Sequence, residues 1–269
     1  MGGFYLFFGL VLDYMSVIIK TPKEIEIIRE GGKILADVLE KVAKKVAPGV
    51  STYELDEYAH KLITDGGDQS AFLNYKPDGT DHAYPASLCA SVNNEIVHGI
   101  PLKNRILKEG DIVSLDLGLK HKGLFTDHAI TVKVGEINKA SRQLLNNTKE
   151  SLMVGIDAAR GGNTVGDIGY AIESFVAHRY GIVRELSGHG VGKKIHEDPY
   201  IPNYGKKGKG QKLIPGMIIA IEPMLNIGKD DIVSMPDGYT IKTADGTRSA
   251  HFEHTILITE GEAEILTKI

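Results

Sequence analysis

The residues best suited to chemistry in this chain are carboxylates and histidines set singly into apolar stretches. Residues 111–134 read as two strands around a tight turn, with Ile112, Val113, Leu115, Leu117 and Leu119 before His121-Lys122-Gly123 and Phe125, Ile130, Val132 and Val134 after it. Each strand carries one aspartate, Asp116 or Asp127. With His121 and Lys122 as the loop, Lys120 faces Gly123 and Asp116 falls directly opposite Asp127, their β-carbons about 4.5–5.5 Å apart, where like charges repel. Such a pair is either two solvated aspartates on an exposed hairpin face or two carboxylates that share a proton or a cation. Glu222 closes the apolar run 217–221, and Glu253 lies inside the run 250–258. A lone carboxylate in so apolar a strand is costly unless it is paired or bound to metal. His189 stands between glycines in Ser187-Gly188-His189-Gly190-Val191-Gly192. Alone it would read as a loop histidine. Beside four isolated carboxylates it becomes a candidate ligand, because the glycines permit close backbone approach and leave the imidazole unobstructed.

Asp116, Asp127, His189, Glu222 and Glu253 form an oxygen-rich donor set with one imidazole, which suits Mn, Fe, Co or Zn, whereas an all-oxygen set would favour Mg or Ca. Four carboxylates carry more negative charge than one divalent ion balances. Two ions bridged by shared carboxylates fit better, and in hydrolytic sites such ions sit about 3.5–4 Å apart.

The elements that must position these side chains are legible in the pattern. Thr21-Pro22-Lys23-Glu24 is a capping box with proline at the first helical position, followed by Ile25, Ile28, Leu35, Leu39, Val42 and Val46 at helical spacing until Pro48-Gly49. Ser51-Thr52-Tyr53-Glu54 caps a second helix with Leu55, Ala59, Leu62 and Ile63 inward and Gly66-Gly67 at its end. Alternating runs follow around residues 87–97 and in the hairpin. The second half repeats the order: residues 138–159 predict a long helix stopped by Gly161-Gly162, and Thr164 caps another that ends near Tyr180-Gly181. Tyr58-Ala59 follows Thr52, and Tyr170-Ala171 follows Thr164, at the same offsets, a faint similarity that suggests two related halves packed as one domain.

At 269 residues with 42% apolar side chains, the chain can fill a sizeable core. A net charge of -4 and a pI near 6.2 make no global case for DNA or an anionic membrane. A single cysteine, Cys89, excludes an internal disulfide and suits a reducing, cytoplasmic setting. The apolar run 4–12 is far short of the roughly 20 residues that span a bilayer. It also lacks the basic leader and cleavage site of a signal peptide. Residues 1–17 are expected to be an extension, with Met15 as the biological start, and 18–269 the catalytic domain.

Val97-His98-Gly99-Ile100-Pro101, the Asp116 and Asp127 hairpin, Gly188-His189-Gly190-Val191-Gly192, Ile195-His196-Glu197-Asp198-Pro199, Ile221-Glu222-Pro223-Met224 and Phe252-Glu253-His254-Thr255 together resemble, in order, the motifs of the methionine aminopeptidases. The resemblance runs from about residue 18 to the C-terminus. It implies an α+β pita-bread fold, two pseudo-symmetric halves with an antiparallel sheet covered by helices. The short interval between His189 and Glu222 leaves no space for the helical insertion of the type II enzymes, so the chain is similar to type I. The resemblance further implies two divalent ions (Co, Mn, Fe or Zn), with Asp127 and Glu253 bridging both, Asp116 on one, and His189 with Glu222 on the other. A water activated between them would attack the first peptide bond, Glu222 would shuttle its proton, and His98 and His196 would hydrogen-bond the scissile amide and the developing charge.

For the methionine pocket the resemblance points to Tyr84, Cys89 and Tyr239, a small thiol beside aromatic rings that suits an unbranched thioether. Three positions depart from the family: Ile195 stands where phenylalanine is common, Tyr239 where bacterial members often carry tryptophan, and His128 where a small residue is usual. The implied substrates are nascent polypeptide N-termini with a small second residue, and a monomer is expected. Lys206, Lys207, Lys209 and Lys212, interleaved with glycine, form a basic loop that is either simply solvated or a contact for ribosomal RNA. Two other readings remain: a proline-specific peptidase of the same fold, which usually carries an extra N-terminal domain, and a non-catalytic binding protein, which would be expected to have lost ligands.

Overall fold

The computed structural model describes residues 17–77 and 80–269. The expectations for the run 4–12 and for Met15 as the start fall outside the described residues, while Val17, placed in the extension, packs against the core. The first half begins with α1 (Pro22–Ala43), where Thr21 Oγ1 accepts from the Glu24 N–H and Glu24 accepts from the Thr21 N–H, as the capping box requires. The second helix, α2 (Thr52–Asp65), is capped in the same way by Ser51 and Glu54. The strands β1 (Gln69–Ser70), β2 (Leu88–Val92), β3 (Glu95–Val97), β4 (Ile112–His121) and β5 (Leu124–Lys133) follow. The second half repeats helix, helix, strands: α3 (Lys139–Ala158) and α4 (Val165–Val176), then β6 (Gly181–Ile182), β7 (Ser187–Gly190), β8 (Glu197–Pro202), β9 (Ile218–Ile221) and β10 (Met224–Asn226). It closes with β11 (Ile232–Ser234), β12 (Ile241–Thr243), β13 (Ser249–His251), β14 (Glu253–Leu257) and β15 (Glu264–Ile265).

The main antiparallel sheet runs β1-β4-β5-β14-β9-β7-β8, with β2 also on β4 and β15 also on β14. One apolar core lies between α1, α2 and the first-half strands, including Leu35, Leu39, Leu55, Leu115 and Leu117. A second lies under α3 and α4, including Leu144, Leu152, Ile168, Ile172 and Ile221. A third cluster, with Tyr84, Cys89, Val191 and Ile218, joins the halves. This is the pita-bread arrangement that the motifs implied.

Three expectations are corrected. Asp116 does not face Asp127: the register pairs Asp116 with Ala129 and Asp127 with Gly118, so the two aspartates are diagonal neighbours on one face. The cause is the turn. Lys122 and Gly123 both have positive φ, at 47° and 88°, which is the two-residue primed turn that matches strand twist, and the glycine draws the loop one residue further on. The run 250–258 is two strands, because Phe252 leaves the ladder: β13 pairs with β10, whereas β14 pairs with β5 and β9. Finally α4 stops at Val176, where Ala177 and His178 turn left-handed at φ 47° and 62°, short of the predicted end near Tyr180-Gly181.

Candidate metal centre and its cavity

The main sheet delivers the five candidate ligands to one place. Asp116 and Asp127 come from the first-half hairpin, His189 from β7, Glu222 from the residue after β9, and Glu253 from the first position of β14. His189 lies in a strand, not a loop, paired with Ala220. Its glycine neighbours are required for packing, since a β-carbon on Gly188 would lie 2.3 Å from the Ala220 carbonyl oxygen and one on Gly190 2.2 Å from that of Asp198.

Oxygens of Asp116, Asp127 and Glu253 lie within 4.8 Å of one another, as do donor atoms of His189, Glu222 and Glu253. His189 Nε2 is 3.5 Å from Glu222 Oε1 and 3.9 Å from Asp127 Oδ2. Asp116, Asp127, His189 and Glu253 are buried, and among the described residues Asp116 Oδ1 and Glu253 Oε1 have no hydrogen-bond partner. Burial pushes the Asp116 carboxyl up to about 7. Burial, and then the neighbouring carboxylates, push Asp127 and Glu253 far above the usual carboxylate range. Among these carboxyls Glu222 is the one held low: burial opposes this, but the nearby His251 imidazole, 3.4 Å from Oε2, and the charge of His189 outweigh it. Buried acceptors that repel one another and lack donors are what a cation would satisfy, so the residues present fit a divalent metal centre.

A cavity of about 270 Å³ opens onto these ligands, walled by Phe72, Tyr84, Cys89 and Tyr239. It is slightly below the range of about 300–1,000 Å³ usual for drug-sized ligands. Tyr84 Oη donates to the Gly99 carbonyl 3.0 Å away, fixing that wall, and Tyr239 packs edge-on against Tyr84 at 5.1 Å between ring centroids. A groove of about 810 Å³ with Ile18, Lys194, Tyr200 and Met224 on its walls leads away. Tyr75, His98, His189, His196 and Glu222 line both spaces.

His98 follows β3 with a left-handed φ of 57°, and His196 precedes β8, its ring 4.5 Å from that of His189. Loss of solvation holds both below the ordinary histidine value, with the His189 imidazole adding to the effect. Of the residues expected at the site, all ten (Tyr84, Cys89, His98, Asp116, Asp127, His189, His196, Glu222, Tyr239, Glu253) line the cavity. His128, the departure after Asp127, is buried, its Nδ1 2.5 Å from the Glu253 carbonyl and its ring stacked on His254 at 4.6 Å. Sequence reasoning passed over Tyr75, whose Oη is 2.9 Å from His196 Nδ1, and His251, whose Nε2 is 3.4 Å from Glu222 Oε2.

Residues 26–260 match the model of metallopeptidase family M24. A methionine aminopeptidase of Aquifex aeolicus (strain VF5) is 46% identical over 259 residues, 95% of this chain and 100% of that protein. The crystal structure of methionine aminopeptidase from Rickettsia prowazekii superposes with a TM-score of 0.90 at 38% identity, covering 94% of this chain and 100% of that one. Prolidase from Pyrococcus furiosus superposes at a TM-score of 0.75 and 26% identity, covering 94% of this chain but only 66% of that chain.

Proposed function

Because this chain belongs to metallopeptidase family M24, with methionine aminopeptidases as full-length relatives, we propose that it removes the N-terminal methionine from nascent proteins and peptides whose second residue is small. The observation that carries this reading is the convergence of five ligand-type side chains on a cavity walled by Phe72, Tyr84, Cys89 and Tyr239, a lining that suits a thioether.

Two divalent ions, from among Mn, Fe, Co and Zn, would be held by Asp116, Asp127 and Glu253 on one side and by His189, Glu222 and the shared Asp127 and Glu253 on the other. When bound, they would supply the Lewis acidity that brings the pKa of a water towards neutrality and polarises the scissile carbonyl. The chain's own residues do the rest. The walls of Phe72, Tyr84, Cys89 and Tyr239 take the methionine side chain and exclude water from it. Glu222, the one site carboxyl held low, accepts a proton from the attacking water and returns it to the leaving amine. His98 and His196, neutral near pH 7, offer N–H groups to the scissile amide from the two walls between cavity and groove. The second residue would lie beside Tyr75, His98 and His196, which line both spaces, and a small side chain is the one these three rings would admit most readily.

Residues 18–269 act as the catalytic unit, as a monomer, in the cytoplasm. No helix among the described residues is long and apolar enough to cross a membrane. Lys206, Lys207, Lys209 and Lys212 give a basic loop for a transient ribosome contact, and ribosome co-sedimentation that survives changing all four to Ala counts against it. The principal test is methionine release from a Met-Ala-Ser peptide by metal-stripped protein before and after adding Mn, Fe or Co, beside an Xaa-Pro peptide. Metal-dependent release confined to the first peptide is expected. Cleavage of the proline peptide alone would move the chain to the prolidase side of the family, and cleavage of neither would leave a binding role.

A further inference from the structure

Glu222 is held between two imidazoles, and only one of them belongs to the ligand set. His189 Nε2 faces Oε1 at 3.5 Å, and His251 Nε2 faces Oε2 at 3.4 Å. Among the described residues, no group of three donors within 4.8 Å of one another includes His251. From this geometry, and resting on the reading of the site given above, we infer that His251 is a positioning residue: facing one oxygen of Glu222 across 3.4 Å, it draws that oxygen to its side so that the other is aimed at the metal beside His189.

The surrounding structure is built to hold that imidazole in place. His251 is 1% exposed and is the last residue of β13, paired with Met224 two positions after Glu222. Its backbone N–H donates to Thr131 Oγ1 at 2.9 Å and its carbonyl accepts from the same hydroxyl at 2.8 Å, while Ser114 Oγ lies 2.8 Å from Thr131 Oγ1. The next residue, Phe252, leaves the ladder, so the imidazole is fixed at the end of one strand before Glu253 opens the next. Glu222 is also anchored at its backbone, where the carbonyl accepts from Asn203 Nδ2 at 3.1 Å. Its side chain has three rotatable bonds, and among the described residues His189 and His251 are the groups paired with its oxygens. Stability does not explain the ring, because among the described residues neither ring nitrogen of His251 has a hydrogen-bond partner, Nε2 only facing Glu222 Oε2 at 3.4 Å, a cost that an apolar side chain of similar size would not incur. A group that orients a ligand carboxylate affects metal affinity directly, by about 10- to 100-fold.

The test compares wild type, His251→Gln, which keeps an N–H donor at similar reach, and His251→Leu, which keeps volume alone. Metal-stripped proteins are titrated with Mn by calorimetry, the Co(II) forms are examined by visible absorption, and kcat and KM are measured on Met-Ala-Ser. Expected is a loss of about 10- to 100-fold in Mn affinity for His251→Leu, with an altered Co(II) spectrum and a fall in kcat at nearly constant KM, and recovery of most of the affinity in His251→Gln. Mn affinity in His251→Leu equal to wild type overturns the inference. So does His251→Gln as weak as His251→Leu, since the effect would then follow the ring and not its donor. If His251→Leu fails to give a cooperative melt, His251→Met takes its place under the same criteria. Wild type that binds no Mn would instead overturn the reading of the site as a metal centre, a result distinguishable from either.

Discussion

His98 and His196 face the path of the scissile bond from two sides, and both are neutral near pH 7 because lost solvation holds them low. A neutral imidazole has one N–H to give, and Tyr75 Oη, 2.9 Å from His196 Nδ1, determines which nitrogen of His196 points into the site. Changing His98 or His196 to Ala is expected to lower kcat by about 10²–10³ while KM moves little, the size seen when one donor to a developing oxyanion is removed. Steady-state kinetics on Met-Ala-Ser check this, and a change confined to KM would reassign the residue to ground-state binding. His189 and the four carboxylates were legible in the sequence because glycines or apolar neighbours isolate them, whereas His98 and His196 were legible only through the family motifs around them. Tyr75 and His251 were not: Tyr75 meets His196 across 121 positions, and His251 earns its role only through the approach of β13 to the end of β9.

Helices were legible from caps and periodicity, whereas strand register and strand ends were decided by single residues. Gly123 moved the central hairpin by one loop residue, and Phe252 divided a run that looks continuous in hydrophobicity. The glycines beside His189 were read as granting close approach, and the structure shows where: β7 is wedged between β9 and β8. Gly188→Ala or Gly190→Ala therefore forces a β-carbon onto a backbone oxygen, and a loss of about 1–3 kcal/mol is expected from the overpacking. Denaturant unfolding would show it, and an unchanged midpoint would mean that β7 can shift freely. A second element-scale device ties the segment before α1 to the loop of His196. Lys20 Nζ and Glu197 Oε2 are 2.6 Å apart with side chains 1% and 2% exposed, and Glu197 Oε1 also accepts from the Lys194 N–H at 2.9 Å. Lys20→Met leaves the Glu197 charge buried and unpaired, a loss of about 3–5 kcal/mol. Double substitution of Lys20→Met with Glu197→Gln should recover part of it; no recovery would show that the pair itself is not the source.

Across the whole molecule, the site is a clasp between halves: Asp116 and Asp127 come from the first, His189, Glu222 and Glu253 from the second. Metal that binds only this assembled set stabilises the entire cooperative unit, by about 4 kcal/mol at a thousandfold excess over Kd, or roughly 8–16 °C in Tm for a chain of this size. The increment must depend on pH, and its sign follows from the carboxyls. In the metal-free fold burial raises Asp116 to about 7, and burial with neighbouring charge raises Asp127 and Glu253 further. Below about pH 4 these groups are protonated in both folded and unfolded chains and cost nothing. From there upward the unfolded chain ionises while the fold retains its protons, so metal-free stability falls through about pH 7. Metal-bound carboxylates are already deprotonated, so the loaded protein escapes that loss, and binding the ions releases protons. Groups elsewhere titrate alike in both forms and cancel in the difference. Calorimetric melts of stripped and Mn-loaded protein between pH 5 and 8 are therefore expected to show a Tm increment that grows with pH. An increment that stayed flat or shrank across that range would mean the carboxylates are not held protonated at one another's expense, and that something other than a shared cation reconciles them.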